Sequence, residues 1–127
     1  MSKMRVLLID DEEELVTALQ ERLELRNIDA EYVLNGETAF QRMQEKKFDV
    51  AVIDIMMPNI NGLEVLMNIK TIQPDIQAIL LTGRSDKDDS KAALEHGAFD
   101  YIMKPVDINK LIKLMKEAVE NVNDTKQ

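Results

Sequence analysis

The chain has 127 residues and a formal net charge of −8, with 45% hydrophobic and 31% charged residues, which fits one globular domain. It has no cysteine and one histidine, which excludes thiolate zinc sites, cysteine nucleophiles and clusters of imidazole ligands. The negative charge disfavours direct binding to nucleic acids and anionic membranes, because affinity for both depends on basic surfaces.

Short apolar runs alternate with segments of helical periodicity along the whole chain. The runs, which predict buried strands, cover residues 5–9, 30–34, 50–53, 78–81 and 101–103. The periodic segments, which predict helices, cover residues 12–26, 36–46, 62–72, 86–96 and 109–121. This order predicts an α/β fold, a five-stranded parallel sheet with helices on both faces. A single domain is expected over residues 1–120, followed at 121–127 by a frayed polar tail or the start of a linker.

Polar residues directly follow four of the five predicted strands. They are Asp10 and Asp11 after the first strand, Asp54 after the third, Thr82 after the fourth and Lys104 after the fifth. In a doubly wound sheet the ligand crevice lies outside the carboxyl ends of the strands, so these side chains are expected to converge. Carboxylates brought together repel one another, and Mg²⁺, which prefers oxygen ligands, would remove that conflict.

These residue types suit a phosphoryl group. Lys104 offers an ammonium and Thr82 a hydroxyl to phosphoryl oxygens, and Asp54 is a candidate nucleophile that would form an acyl phosphate. Each residue alone also has an ordinary explanation: acids are favourable at a helix start, an aspartate can cap a turn, and lysines are mostly exposed. Their occurrence at four separate strand ends favours the functional interpretation.

The motifs, taken in order, resemble the response-regulator receiver domain of two-component signalling, in the CheY-like superfamily. The resemblance is carried by residues 8–12 (LIDDE), 54–58 (DIMMP) with Gly62, 81–83 (LTG) and 97–101 (GAFDY) with Lys104 and Pro105. It extends over about residues 4 to 120. It implies a flavodoxin-like (βα)5 sheet with strand order 2-1-3-4-5 and a cis peptide bond before Pro105.

The resemblance also implies a role for each site residue. Asp54 corresponds to the phosphoacceptor, and Thr82 and Lys104 correspond to the pair that contacts the phosphoryl oxygens. For Mg²⁺, Asp11 corresponds to the direct carboxylate ligand and Asp10 to the acid that usually acts through a coordinated water, and Asp54 and the backbone carbonyl of Met56 correspond to the other ligands. Tyr101 corresponds to a switch aromatic that turns inward when Thr82 moves onto the phosphoryl group. Such a chain catalyses its own phosphorylation and dephosphorylation without being a conventional enzyme.

The implied function is a phosphorylation-dependent signalling switch. The implied donor is a sensor histidine kinase or a phosphotransfer protein, and the signal would pass to a downstream protein or to a missing output domain. A homodimer through the last helices and the fifth strand is one arrangement that the family suggests. The absence of cysteines and of targeting signals predicts a cytoplasmic location.

Two alternatives stay open. One is a small Mg²⁺-dependent phosphohydrolase that works through an aspartyl phosphate, and Met56 argues against it, because such enzymes usually carry a general acid at that position. The other is a receiver-like binding module that is not phosphorylated. The complete set of acids together with Thr82 and Lys104 argues against that second alternative.

Overall fold

The structure is a computed structural model, and it describes residues 3–57, 61–83 and 87–126. Strands and helices alternate in the order β1 (Arg5–Ile9), α1 (Glu13–Leu25), β2 (Asp29–Val33), α2 (Gly36–Glu45), β3 (Val50–Asp54), α3 (Gly62–Ile72), β4 (Gln77–Thr82), α4 (Lys87–Glu95), β5 (Asp100–Met103) and α5 (Ile108–Lys126). The strands form one parallel sheet in the order β2-β1-β3-β4-β5. The predicted α/β fold and strand order are confirmed. Pro58 of the second motif and Asp86, the predicted start of the fourth helix, lie outside the described residues.

A hydrophobic core lies on each face of the sheet, because consecutive strand residues point to opposite faces. On β1, Leu7 and Ile9 belong to the core that α2, α3 and α4 cover. Val6 and Leu8 belong to the core that α1 and α5 cover. The central strand β3 is buried along its whole length. Burial on both faces is the reason why these strands are continuous apolar runs in the sequence.

Helix α5 is longer than the sequence predicts. It continues past Asn121 to Lys126, where the polar composition suggests a frayed tail. Leu111 and Met115 anchor the helix in the core, and polar residues can extend a helix that is already formed at little cost. The polar composition therefore did not predict where α5 ends, and the assignment of residues 121–127 as a tail or linker stays a prediction. Neither α5 nor any other helix among the described residues has enough apolar length to cross a membrane.

Gly62 allows the start of α3 to pass close to the backbone that follows β3. A Cβ at this position would lie 2.6 Å from the Cα of Ile55. We expect Gly62→Ala to lower the free energy of unfolding by about 1–3 kcal/mol, because the backbone must move to relieve the overlap. Denaturant unfolding measures this, and Met67→Ala on the exposed side of α3 is the control, with a change below about 0.5 kcal/mol. An equal midpoint for the two variants would contradict the close approach.

Candidate functional site

Four strand ends meet at one edge of the sheet and bring the predicted site residues together. Asp10, which directly follows β1, and Asp54 and Thr82, which end β3 and β4, are the buried polar residues of the described chain. Lys104 follows β5, and its peptide bond to Pro105 is cis, as the resemblance implied. The backbone N–H of Lys104 donates a hydrogen bond to the carbonyl of Thr82 at 2.8 Å. This bond ties the end of β5 to the end of β4.

Backbone N–H groups orient the two buried carboxylates. Asp10 Oδ1 accepts a hydrogen bond from the N–H of Glu12 at 2.9 Å, and Asp54 Oδ1 accepts one from the N–H of Met56 at 3.1 Å. Each donor stands two positions after its aspartate, a local pattern that aspartates favour at turns. The other oxygen of each carboxylate, Oδ2, lies 3.4 Å from Lys104 Nζ. Asp10 Oδ2 is buried and has no hydrogen-bond partner among the described residues.

Burial and the nearby charges shift two pKa values at the site. Burial raises the pKa of Asp10 from 3.8 to about 6, the negative charge of Asp54 adds to this, and the Glu12 N–H and Lys104 act against it. Burial alone would lower the pKa of Lys104, but its hydrogen bond to Glu12 and the charges of Asp10 and Asp54 outweigh burial and raise that pKa. Lys104 is therefore a permanent cation at neutral pH.

The acidic residues at this edge fit a hard divalent cation. Carboxylate oxygens of Asp10, Glu12 and Asp54 lie within 4.8 Å of one another. A set of oxygens without cysteine or histidine suits Mg²⁺, which also keeps several water ligands. The buried Asp10 Oδ2, which accepts no hydrogen bond among the described residues, is a group that such a cation would satisfy. The chain thus has the kind of acidic group at which receiver domains usually bind Mg²⁺.

The structure places Glu12 in this acidic group, where the sequence suggested Asp11. Asp11 is exposed, whereas the side chain of Glu12 reaches Lys104, with 2.7 Å between Oε1 and Nζ. Sequence reasoning missed Glu12 because an acid at the start of a helix has an ordinary explanation. Its place in a run of acids directly after a strand is the signal that could have found it. The metal-binding roles of Asp11 and of the Met56 carbonyl stay predictions.

Tyr101 lies on the edge strand β5 and is 40% exposed. It pairs in register with Leu80 of β4, and Met103 pairs with Thr82. Because side chains alternate along a strand, Tyr101 and Thr82 are on the same face of the sheet, one diagonal step apart. Tyr101 is thus exposed and Thr82 buried, and the switch role of Tyr101 stays a prediction.

Comparisons with known proteins agree with this site and fold. The profile of the response regulator receiver domain matches residues 6–116. The chain is 33% identical over 127 residues to the response regulator ArlR of Staphylococcus saprophyticus, an alignment that covers 96% of this chain and 57% of ArlR. It thus spans little more than half of that relative.

Solved structures of similar shape include a CheY-like receiver domain protein from Methanospirillum hungatei (TM-score 0.90, 27% identity, 98% of this chain and 99% of that one). Another is the BeF3-activated DrrB receiver domain (TM-score 0.82, 29% identity, 94% and 99%). Fold, strand-end residues and sequence profile all lead to the same assignment. The chain belongs to the family of response regulator receiver domains of two-component signalling.

Proposed function

We propose that this chain is a phosphorylation-dependent signalling switch in which Asp54 accepts the phosphoryl group with the help of Mg²⁺. One observation carries the proposal: the buried Asp54 carboxylate has the Lys104 ammonium 3.4 Å from Oδ2 and shares that ammonium with the buried carboxylate of Asp10. A cation and an acidic metal site around one carboxylate suit phosphoryl transfer, which depends mainly on positioning and on neutralising negative charge. Family membership supports the same conclusion.

The proposed reaction moves a phosphoryl group from a histidine nitrogen to Asp54. An oxygen of the Asp54 carboxylate forms the new O–P bond while the P–N bond breaks, and the imidazole nitrogen keeps the electron pair and takes a proton from solvent. Oδ2 is the oxygen that Met56 N–H does not engage, and it faces Lys104. The permanent charge of Lys104 stabilises the negative charge on the phosphoryl oxygens.

The metal would be held by Asp10 and Asp54, together with Asp11 and the Met56 carbonyl as the resemblance implies. When bound, Mg²⁺ supplies positive charge to the phosphoryl oxygens. Asp10 must be ionised to act as a ligand, so its raised pKa makes metal binding sensitive to acid.

The proposed donor is the phosphohistidine of a sensor histidine kinase or of a phosphotransfer protein. The proposed recipient of the signal is a downstream protein or an output domain. The homodimer through the last helices and β5, and the cytoplasmic location, stay predictions from the family resemblance.

Intact mass measurement after incubation with acetyl phosphate and Mg²⁺ tests the proposed function. We expect one added phosphoryl group per chain, and no addition when EDTA removes the metal. Fluoroberyllate, the activating group named for the DrrB receiver domain, should bind at Asp54 in place of the phosphoryl group. A chain that takes neither ligand would be the unphosphorylated binding module, and rapid turnover of phosphomonoesters would identify the phosphohydrolase.

The proposed switch makes a prediction for Tyr101. The chain has two tyrosines, so Tyr32→Phe leaves Tyr101 as the single tyrosine fluorophore, and there is no tryptophan. We expect fluoroberyllate with Mg²⁺ to reduce quenching of its fluorescence by acrylamide, because the ring, now 40% exposed, turns inward. Adding Thr82→Ala should leave the ring accessible even when fluoroberyllate is bound. Equal quenching with and without the ligand in the Tyr32→Phe protein would contradict the switch.

A further inference from the structure

The shortest polar contact of the Lys104 ammonium is with Glu12 and not with the proposed phosphoacceptor. Nζ lies 2.7 Å from Glu12 Oε1, but 3.4 Å from the nearest oxygen of Asp10 and of Asp54. A distance of 2.7 Å is a full charge-assisted hydrogen bond, whereas 3.4 Å is beyond the range of good N–H···O geometry. The Glu12 side chain is 60% exposed and that of Asp54 only 7%. Lys104 therefore makes its hydrogen bond to the exposed Glu12, and its contacts with the buried Asp10 and Asp54 are longer ion pairs.

The structure of α1 does not account for the position of the Glu12 side chain. Glu12 is the N-cap residue of α1, yet its side chain makes no capping hydrogen bond. Short polar side chains are the usual caps, and a glutamate is a poor one. Glu13 and Glu14 already supply negative charge to the first turn. Glu12 instead reaches a lysine 92 residues away in the sequence.

The backbone of Glu12 is fixed independently of its side chain. Its N–H donates to Asp10 Oδ1, so the residue that orients one buried carboxylate also presents an acid to the lysine. Lys104 is held by its own N–H, which donates to the Thr82 carbonyl. Both ends of the Glu12–Lys104 pair thus start from fixed backbone positions, and the pair can break through side-chain rotation alone.

We propose that Glu12 is a positioning residue that holds Lys104 away from Asp54 until a phosphoryl group arrives. This inference rests on the proposed phosphorylation of Asp54. A phosphoryl group carries nearly two negative charges and attracts the ammonium more strongly than one carboxylate does. The Glu12–Lys104 hydrogen bond must break before Lys104 can move onto the phosphoryl oxygens, so Glu12 lowers the affinity for that group. Glu12 then competes with the phosphoryl oxygens for the Lys104 ammonium and so favours the conformation of the unphosphorylated protein.

Two other roles for Glu12 predict different behaviour. As a ligand of Mg²⁺, a role suggested by its place in the acidic group with Asp10 and Asp54, it would strengthen binding of the metal. As a mere source of negative charge, it would act in the same way as its neighbour Glu13, which is also exposed. Only the competitor role depends on a side chain long enough to reach Lys104.

Titration of the full chain with Mg²⁺ alone, and with fluoroberyllate in the presence of Mg²⁺, distinguishes the three roles. We expect Glu12→Gln to bind fluoroberyllate about two- to fivefold more tightly than wild type, the size typical of a partly exposed ion pair. Glu12→Asp keeps the charge but is too short to reach Lys104, so it should bind fluoroberyllate more tightly as well. Glu13→Gln is the matched control and should bind fluoroberyllate as wild type does.

Four results would overturn the inference, and they are distinguishable. Weaker binding of both Mg²⁺ and fluoroberyllate by Glu12→Gln would make Glu12 a metal ligand. Equal effects of Glu12→Gln and Glu13→Gln, with no effect of Glu12→Asp, would reduce its role to general charge. Failure of the wild-type chain to bind fluoroberyllate would overturn the proposed function and this inference with it, whereas wild-type binding without a gain in the Glu12 variants would overturn this inference alone.

Discussion

Asp54→Asn is expected to abolish phosphorylation of the chain by acetyl phosphate or by a phosphorylated sensor kinase. An amide oxygen is a far weaker nucleophile than a carboxylate oxygen, and the variant also loses the charge that pairs with Lys104. Removing a nucleophile typically costs more than about a thousandfold in rate, so no phosphoryl group should be detected by intact mass on the same timescale.

The control for this loss is a carboxylate outside the site. Asp49 stands just before β3, is exposed, and accepts a hydrogen bond from the N–H of Arg5 at 2.9 Å. Asp49→Asn should therefore be phosphorylated as wild type is, and circular dichroism should show that both variants are folded. Full phosphorylation of Asp54→Asn would mean that another group is the acceptor, and peptide mapping would then identify it.

Asp10→Asn is expected to stabilise the metal-free protein at pH 7 by about 1–3 kcal/mol. The folded protein raises the pKa of Asp10 from 3.8 to about 6, so it binds this proton more tightly than the unfolded chain does. The contribution of Asp10 to stability is greatest below pH 4 and is lost as the pH rises from about 4 to about 6. Asparagine carries no charge, so the variant avoids the decrease in stability that ionisation of the buried Asp10 causes. The substitution also removes one ionic partner of Lys104, which offsets part of the gain.

Urea unfolding in EDTA between pH 4 and pH 8 measures this effect. The gap between Asp10→Asn and wild type should widen as the pH rises from about 4 to about 6 and stay constant above that, whereas Asp49→Asn should show no such gain. The same Asp10→Asn substitution should weaken Mg²⁺ binding, because an amide is a poorer ligand than a carboxylate. If Asp10→Asn were less stable than wild type at every pH, the interactions of the Asp10 carboxylate would outweigh the cost of burying its charge.

Opposite effects of one substitution on stability and on metal binding are typical of a functional site. Asp10 Oδ2 is buried without a hydrogen-bond partner among the described residues, a feature that a chain optimised for stability alone would avoid. The neighbouring Asp54 makes the conflict worse, because two carboxylates in one buried group repel each other. The two carboxylates therefore destabilise the metal-free site, and a bound cation would neutralise their repulsion.

Much of the fold and part of the site could be predicted because buried elements have recognisable patterns of apolar residues in the sequence. Strands such as β3 are covered on both faces, so they are apolar without interruption, and helices such as α1 repeat their apolar residues at helical spacing. In a parallel sheet the ends of the strands share one edge. The polar residues after the apolar runs, Asp10, Asp54 and Lys104, were therefore expected to converge, and they do.

The sequence by itself determined the order of the elements, the class of fold and the strand ends that supply the site, because periodicity and composition follow directly from local burial. Only the tertiary structure decided which acid after β1 contacts Lys104, how far α5 extends, and that Tyr101 stays exposed. The adjacent acids after β1 cannot be distinguished by residue type, but their side chains point in different directions from the turn into α1. Glu12 rather than Asp11 meets a lysine 92 residues away because of that direction, which depends on contacts between distant parts of the chain.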